Sequence, residues 1–332
     1  MRVLAAVDKF RGTATAREVA GTIAAAAERL GHECDPAPVS DGGEGWLDAF
    51  GGPTRHTIVT GPLGDPVDAD WRMTGRTAVI EMALASGLLL AGGAEGNDPM
   101  AASTTGTGEL IEAALDAGAK RIIVGLGGSA TTDGGFGAIR AIRAPARLRA
   151  VELLVACDVR TRFTEAATVF GPQKGASAAQ VALLTGRLER LVQVYREQFG
   201  VDVSSREGAG AAGGLAGGLV ALGANLVPGF DLLADELHLP ERVEAADIVI
   251  TGEGFLDEQS FEGKVVGGMS GLAERSGTKI VAIAGDVYDD AASRIEAVSL
   301  VDWFGEARAM TATLECVDEV VTAILSGAGR PG

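Results

Sequence analysis

The stretch Arg2 to Gly31, RVLAAVDKFRGTATAREVAGTIAAAAERLG, decides the fold. Arg2 to Val7 is a short apolar run of strand length, and Thr15-Ala16-Arg17-Glu18 has the spacing of a capping box, which starts a helix. Val19, Ile23, Ala26 and Leu30 then recur at helical spacing, and Gly31 supplies a stop. Strand, loop and helix follow as one β-loop-α unit. The connecting loop, Asp8-Lys9-Phe10-Arg11-Gly12, falls at the carboxyl end of the strand, where open α/β sheets bind their ligands.

Outward from this unit the same idiom recurs. Asp41-Gly42-Gly43-Glu44-Gly45 is a second glycine loop. Glu109 to Ala117 reads as a helix stopped near Gly118, and Arg121 to Val124 as a strand running into Gly125-Leu126-Gly127-Gly128-Ser129. From Ala179 to Phe199 a longer helix carries Val181, Leu184, Leu188, Leu191, Val192, Tyr195 and Phe199 on one side, a stripe expected to be core. Asp247 to Thr251, Lys279 to Ala284 and Ser299 to Trp303 read as three more strands separated by helix-length stretches, the pattern of a parallel sheet with right-handed crossovers. At 332 residues the chain is long for one core, and no polar linker divides it. Its two ends share the short βαβ rhythm, while the middle is richest in glycine loops. The expectation is an α/β protein with a discontinuous domain, 1–50 and 235–332, into which a second α/β domain, 51–234, is inserted.

With 45 acidic against 28 basic residues, the formal charge of −17 would repel a phosphate backbone, so nucleic acid is not an expected partner. Cys34, Cys157 and Cys316 are scattered and odd in number, which argues against a disulfide framework or a zinc site and fits a reducing cytoplasm. The opening MRVLAAVDKF reaches Asp8 and Lys9 before a signal-length apolar stretch develops, and no run approaches the roughly 18 apolar residues of a membrane span. A cytoplasmic protein acting on small molecules is expected, with no membrane partner; a homo-oligomer is compatible with this reading.

Glycine clusters after strands leave backbone N–H groups free to cradle phosphate oxygens. The densest, Gly208 to Gly218, contains GxGxxG but follows the polar Ser204-Ser205-Arg206-Glu207 and not a strand, so tight packing and phosphate contact both stay open. Gly263-Lys264 is no Walker A motif, because Val265 stands where a hydroxyl should be, and the protein-kinase motifs are absent. Carboxylates lie beside many glycines: Asp41, Glu44, Asp133, Asp158, Glu253, Asp257 and Asp286. A subset converging on one site could hold magnesium and orient a nucleophilic hydroxyl, with Lys9, Arg11, Lys174 and Lys264 meeting phosphates or a substrate carboxylate. None of His32, His56 and His238 lies in a glycine cluster or beside a Ser or Cys nucleophile, which disfavours His-dependent hydrolysis.

Eight blocks occur in order: VDKFRGTATAREVA from Val7, SDGGEGWLDA from Ser40, STTGTGEL from Ser103, GLGGSATTDGGFG from Gly125, VACDV from Val155, VFGPQKGAS from Val169, GAGAAGGLAGGLVALGANLVPG from Gly208 and ADIVITGEGFLDEQSFEGK from Ala246. Together they resemble the signature blocks of the bacterial glycerate kinase family, of the type that makes 2-phosphoglycerate. The resemblance implies a flavodoxin-like parallel-sheet domain with a second α/β domain inserted, and ATP with Mg2+ used to phosphorylate glycerate in a cleft between them. It places the family's polar positions at Asp8, Arg11, Asp41, Glu44, Ser129, Asp133, Asp158, Lys174, Glu253, Asp257, Gln259 and Lys264. Lys9, Gly42, Gly43, Gly127, Gly128, Gly210, Gly213, Gly214 and Gly252 belong to the same loops. On chemical grounds Asp133 or Asp257 would accept the substrate hydroxyl proton, Asp41, Glu44 and Glu253 would lie near magnesium, and Arg11 or Lys174 would bind the glycerate carboxylate or the phosphoryl group. The sequence departs from the family pattern at Phe255, where Arg is usual, and at Thr105, Thr132 and Arg11; its Ile139 to Glu152 stretch is also short.

Overall fold

In the computed structural model, residues 1–10, 12–261, 263–288 and 291–327 are described; Arg11 lies outside them. The chain runs through β1 (Arg2–Val7), the helix Ala16–Arg29 and β2 (Glu33–Pro38), then β3 (Arg55–Thr60), β4 (Pro66–Thr74), β5 (Thr77–Glu81), β6 (Arg121–Gly125), β7 (Glu152–Ala156) and β8 (Asn225–Val227). It ends with β9 (Ile248–Leu256), β10 (Lys279–Val287) and β11 (Ala297–Ser299), among helices. Two compact units result: Met1–Asp41 with Phe230–Gly332, and Gly42–Gly229.

The first unit is a five-stranded, all-parallel sheet in the order β11-β10-β9-β1-β2. Counted within the unit alone this is 2-1-3-4-5, the flavodoxin-type doubly wound order. From Val3 to Val7 every residue of β1 is buried, as a central parallel strand covered on both faces requires. Val3, Ala5 and Val7 pack with Val19, Ile23 and Ala26 of the first helix and with Val317 and Val320 of the helix Thr313–Ser326. The expected capping box forms: Thr15 Oγ1 accepts from Glu18 N at 3.2 Å, and Glu18 Oε2 accepts from Thr15 N at 2.9 Å.

The second unit has a six-stranded sheet, β3-β4-β5-β6-β7-β8, antiparallel through β3, β4 and β5 and parallel from β5 onward. Its main core joins Trp71, Ile80, Leu110, Ile122 and Leu215, and a second cluster gathers Phe163, Leu184, Leu188 and Tyr195 around the long helix Ala178–Phe199.

Four segments differ in their bounds from the sequence expectation. The helix Thr105–Asp116 starts before Glu109, because Thr104 is held at its head by hydrogen bonds that no apolar period reveals. Both β9 and β10 run on to Leu256 and Val287, since Glu253, Phe255 and Leu256 pair with Ala284, Asp286 and Val287. The segment expected as a strand from Ser299 to Trp303 is a strand only to Ser299; its hydroxyl accepts from Asp302 N at 3.0 Å and starts the helix Leu300–Phe304. Among the described residues, no helix is long and apolar enough to cross a membrane.

Gly108 tests the packing of the second unit. A Cβ there would meet the backbone of Ala138 in the adjoining helix Phe136–Ala141. Overpacking of about 1–3 kcal/mol should outweigh the gain of about 1 kcal/mol from Ala in a helix, so Gly108→Ala should lower the urea midpoint. A raised midpoint would show that the two helices can part at little cost.

Candidate active site

In the first unit Val7 is aligned with Gly252, and Asp8 N donates to Gly252 O at 2.9 Å. The gap between β1 and β9 is the point where the strand order reverses, the topological switch point at which doubly wound sheets bind ligands. Gly252 is needed there, because a Cβ would run into the carbonyl of Ile283 on β10. Asp8 is only 9% exposed. Burial pushes its carboxyl up to about 7; Lys9 opposes this, while Asp41 and Glu253 add to it. Burial also raises Glu253, against the pull of the Ser260 hydroxyl and Lys264. Glu253 Oε1 is buried with no hydrogen-bond partner among the described residues.

The other candidates of this unit surround these two carboxylates in sequence. Asp257 Oδ1 accepts from Ser260 N at 3.1 Å and from Ser260 Oγ at 3.3 Å, which opens the short turn Glu258–Phe261. Gln259 is exposed on that turn, and Lys264 is half-buried at the head of the helix Val265–Ser276. Lys9 N donates to Asp8 Oδ1 at 2.7 Å.

In the second unit the carboxyl ends of β5 to β8 carry the remaining residues. Gly127 N donates to Gly42 O at 3.0 Å, and a Cβ on Gly127 would strike Gly43, so these glycines let two loops touch backbone to backbone. Glu44 is exposed in the same loop. Asp158 follows β7 and its Oδ1 accepts from Gly229 N at 2.7 Å. Lys174 is 2% exposed; its Nζ donates to Ser129 Oγ at 2.8 Å and to Thr131 O at 2.7 Å. Burial pulls its ammonium down to about 7, against the attraction of Asp133.

Asp133 is fully engaged. Its Oδ2 accepts from Thr104 N at 2.9 Å, Thr104 Oγ1 at 2.9 Å and Gly137 N at 3.1 Å, and its Oδ1 from Gly135 N at 3.0 Å. Such a carboxylate fastens two helix starts together and has little capacity left for a substrate proton. Gly210, Gly213 and Gly214 are buried against protein: a Cβ on each would meet Arg162, Thr131 and Gly134 respectively. Of the two readings left open for this cluster, tight packing is the one the geometry supports.

Sequence reasoning missed Thr104, whose hydroxyl both donates to Asp133 and accepts from Ala138 N at 3.0 Å. Its place in the Ser103 block was the only available signal. Among the described residues, no three acidic, His or Cys side chains form a ready metal cage. Magnesium usually takes one or two carboxylates plus substrate phosphates, so Asp41 and Glu253 are the donors of this unit that would suit it.

A flavodoxin-type sheet with carboxyls raised by burial at its switch point, joined in one chain to a mixed sheet rich in glycine loops, defines the class: a two-unit α/β protein whose candidate site lies at strand carboxyl ends. The chain belongs to the glycerate kinase family, whose sequence model matches residues 3–146 and 142–326, and it is a kinase. It is 38% identical over 330 residues to the glycerate 2-kinase of Escherichia coli (strain K12), covering 87% of this chain and 86% of that one. It is 39% identical to the glycerate kinase of Bacillus subtilis (strain 168), with the same coverage. A crystal structure of a Salmonella typhimurium LT2 protein assigned as glycerate kinase 2 superposes with a TM-score of 0.82 at 34% identity, over 98% of each chain.

The buried lysine gives a pH test. Its folded value, about 7, lies below the ordinary 10.5, so the penalty for burying its charge is present below pH 7 and is relieved as pH rises towards 10. Wild-type melting temperature should therefore gain on that of Lys174→Met between pH 7 and 9.5. Parallel curves would mean that Lys174 does not titrate in this window.

Proposed function

We propose that this chain transfers the γ-phosphoryl group of ATP to the 2-hydroxyl of D-glycerate, giving 2-phosphoglycerate and ADP, in the cytoplasm. The observation that carries the reading, beside family membership, is the buried carboxyl of Asp8 with the half-buried Glu253 at the switch point of the first unit.

Phosphoryl transfer asks a protein mainly for alignment and charge neutralisation. Asp41 and Glu253 would hold magnesium, which would supply charge neutralisation for the phosphates. Asp8, raised to about 7, is matched to accept a hydroxyl proton at neutral pH, and we assign it that role ahead of Asp257 and Asp133. The hydroxyl oxygen then bonds to the γ-phosphorus as the bond to the ADP oxygen breaks, and the proton leaves with Asp8. Lys264, whose charge already lowers Glu253, is placed to offset phosphate charge. Lys174 serves as a positioning residue, because its ammonium is committed to Ser129 and Thr131. Phe255, 49% exposed where the family block has Arg, favours a second reading in which a related small hydroxy acid is the acceptor.

Two measurements test this. ADP release should require D-glycerate, ATP and Mg2+, and enolase added alone to the finished reaction should produce phosphoenolpyruvate; ADP without phosphoenolpyruvate would contradict the 2-hydroxyl assignment, and turnover only with another hydroxy acid would select the second reading. In a pH series, wild-type kcat should rise through about pH 7 as Asp8 ionises. Asp8→Asn should lower kcat by about 10²–10³-fold and abolish that rise, whereas a near-normal Asp8→Asn enzyme would remove Asp8 from the role.

A further inference from the structure

The second unit holds a cavity of about 570 Å³ that the residues assigned above do not explain. One wall is the outer face of the helix Ala178–Phe199, with Leu183, Gly186, Arg187 and Arg190; the opposite wall is the loop around Met100; the floor is Thr132, Asp133 and Phe136. The floor continues the loop after β6 that Lys174 fastens. We propose that this cavity binds the adenine and ribose of the nucleotide, an inference that rests on the reading of the chain as an ATP-dependent kinase.

Size decides first. A three-carbon acid would rattle in such a volume, whereas it sits inside the range of about 300–1,000 Å³ typical of sites that enclose larger ligands. Chemistry decides next. The walls are mainly apolar, as a flat base requires, and Phe136 lines them with 39% of its surface exposed and the Arg140 guanidinium 5.7 Å over its ring. Leu183 is 61% exposed on the same side, an apolar residue that the core does not use. Thr132 is 1% exposed, so it closes the floor of the cavity. Arg187 Nη1 donates to Met100 O at 2.8 Å, which fixes its guanidinium across the cavity, and Arg190 one turn on donates to Gln193 Oε1 at 2.6 Å. Two cations suit a ligand that carries phosphates. Asp133 also lines the floor, but its carboxylate is satisfied by Thr104, Gly135 and Gly137.

Gly186 is the most informative residue. Glycine inside a helix is unfavourable relative to Ala, yet a Cβ here would meet nothing within 4 Å, so no neighbour demands it. What its missing side chain provides is room in the cavity wall.

The test fills that room. Gly186 is exposed, so Gly186→Met should fold as the wild type does, with an unchanged circular dichroism spectrum. By isothermal titration of the full chain with ADP, Gly186→Met should bind at least tenfold more weakly than wild type, and in turnover the KM for ATP, not that for the hydroxy acid, should rise. Glu189→Met, exposed on the same helix but not lining the cavity, should bind ADP as the wild type does. Wild-type ADP affinity in Gly186→Met would overturn the inference while leaving the kinase reading intact. Conversely, a wild-type chain that turns over no hydroxy acid, yet loses ADP binding in Gly186→Met, would sink the kinase reading and keep the nucleotide site.

Discussion

One carboxylate, that of Asp133, organises the functional face of the second unit. It takes hydrogen bonds from the backbone of Thr104, Gly135 and Gly137 and from the Thr104 hydroxyl, so the starts of the helices Thr105–Asp116 and Phe136–Ala141 are fastened to one anion. Charge-assisted bonds of this kind are short and strong, and a helix start is where negative charge is favoured. Removing the anion would strand several donors at once. The loop from Ser129 to Thr132, the cavity floor and the fixed place of Lys174 all follow from that fastening.

The first unit uses its carboxylates in the opposite way. Asp8 is buried and Glu253 half-buried, so burial makes their charge costly and raises both groups, with Asp41 adding to the effect on each. A carboxyl that resists ionisation in the folded chain is poised to exchange a proton near neutrality, and a buried carboxylate oxygen without a donor is poised for a cation. The same residue type is therefore a saturated clamp in one unit and a carboxyl raised by burial in the other. Among the described residues, the supply of hydrogen-bond donors around Asp133 and the burial of Asp8 make the difference.

Glycine divides along the same line. Gly108, Gly213 and Gly217 lie where a Cβ would strike a neighbour, and their role is close approach between elements. Gly186 meets nothing and leaves space. Both are written with one letter, and only their surroundings separate close packing from open space.

The sequence by itself determined the α/β class, the first β-loop-α unit with its capping box, the alternation of strand and helix, and, through its ordered blocks, the kinase family. These are local signals, because apolar period, caps and glycine loops are set by neighbours along the chain. The core stripe Leu184, Leu188, Val192 and Tyr195 of the long helix was legible for the same reason. Only the tertiary structure decided that β9 reaches Leu256, that Asp133 is saturated while burial raises Asp8, and that the long helix walls a cavity. Each depends on groups distant in sequence: Thr104 beside Asp133, Glu253 beside Asp8, Met100 across from Arg187. Burial and hydrogen-bond supply are properties of the folded surroundings, so identical carboxylates and glycines in the sequence acquire different work only when the chain closes around them.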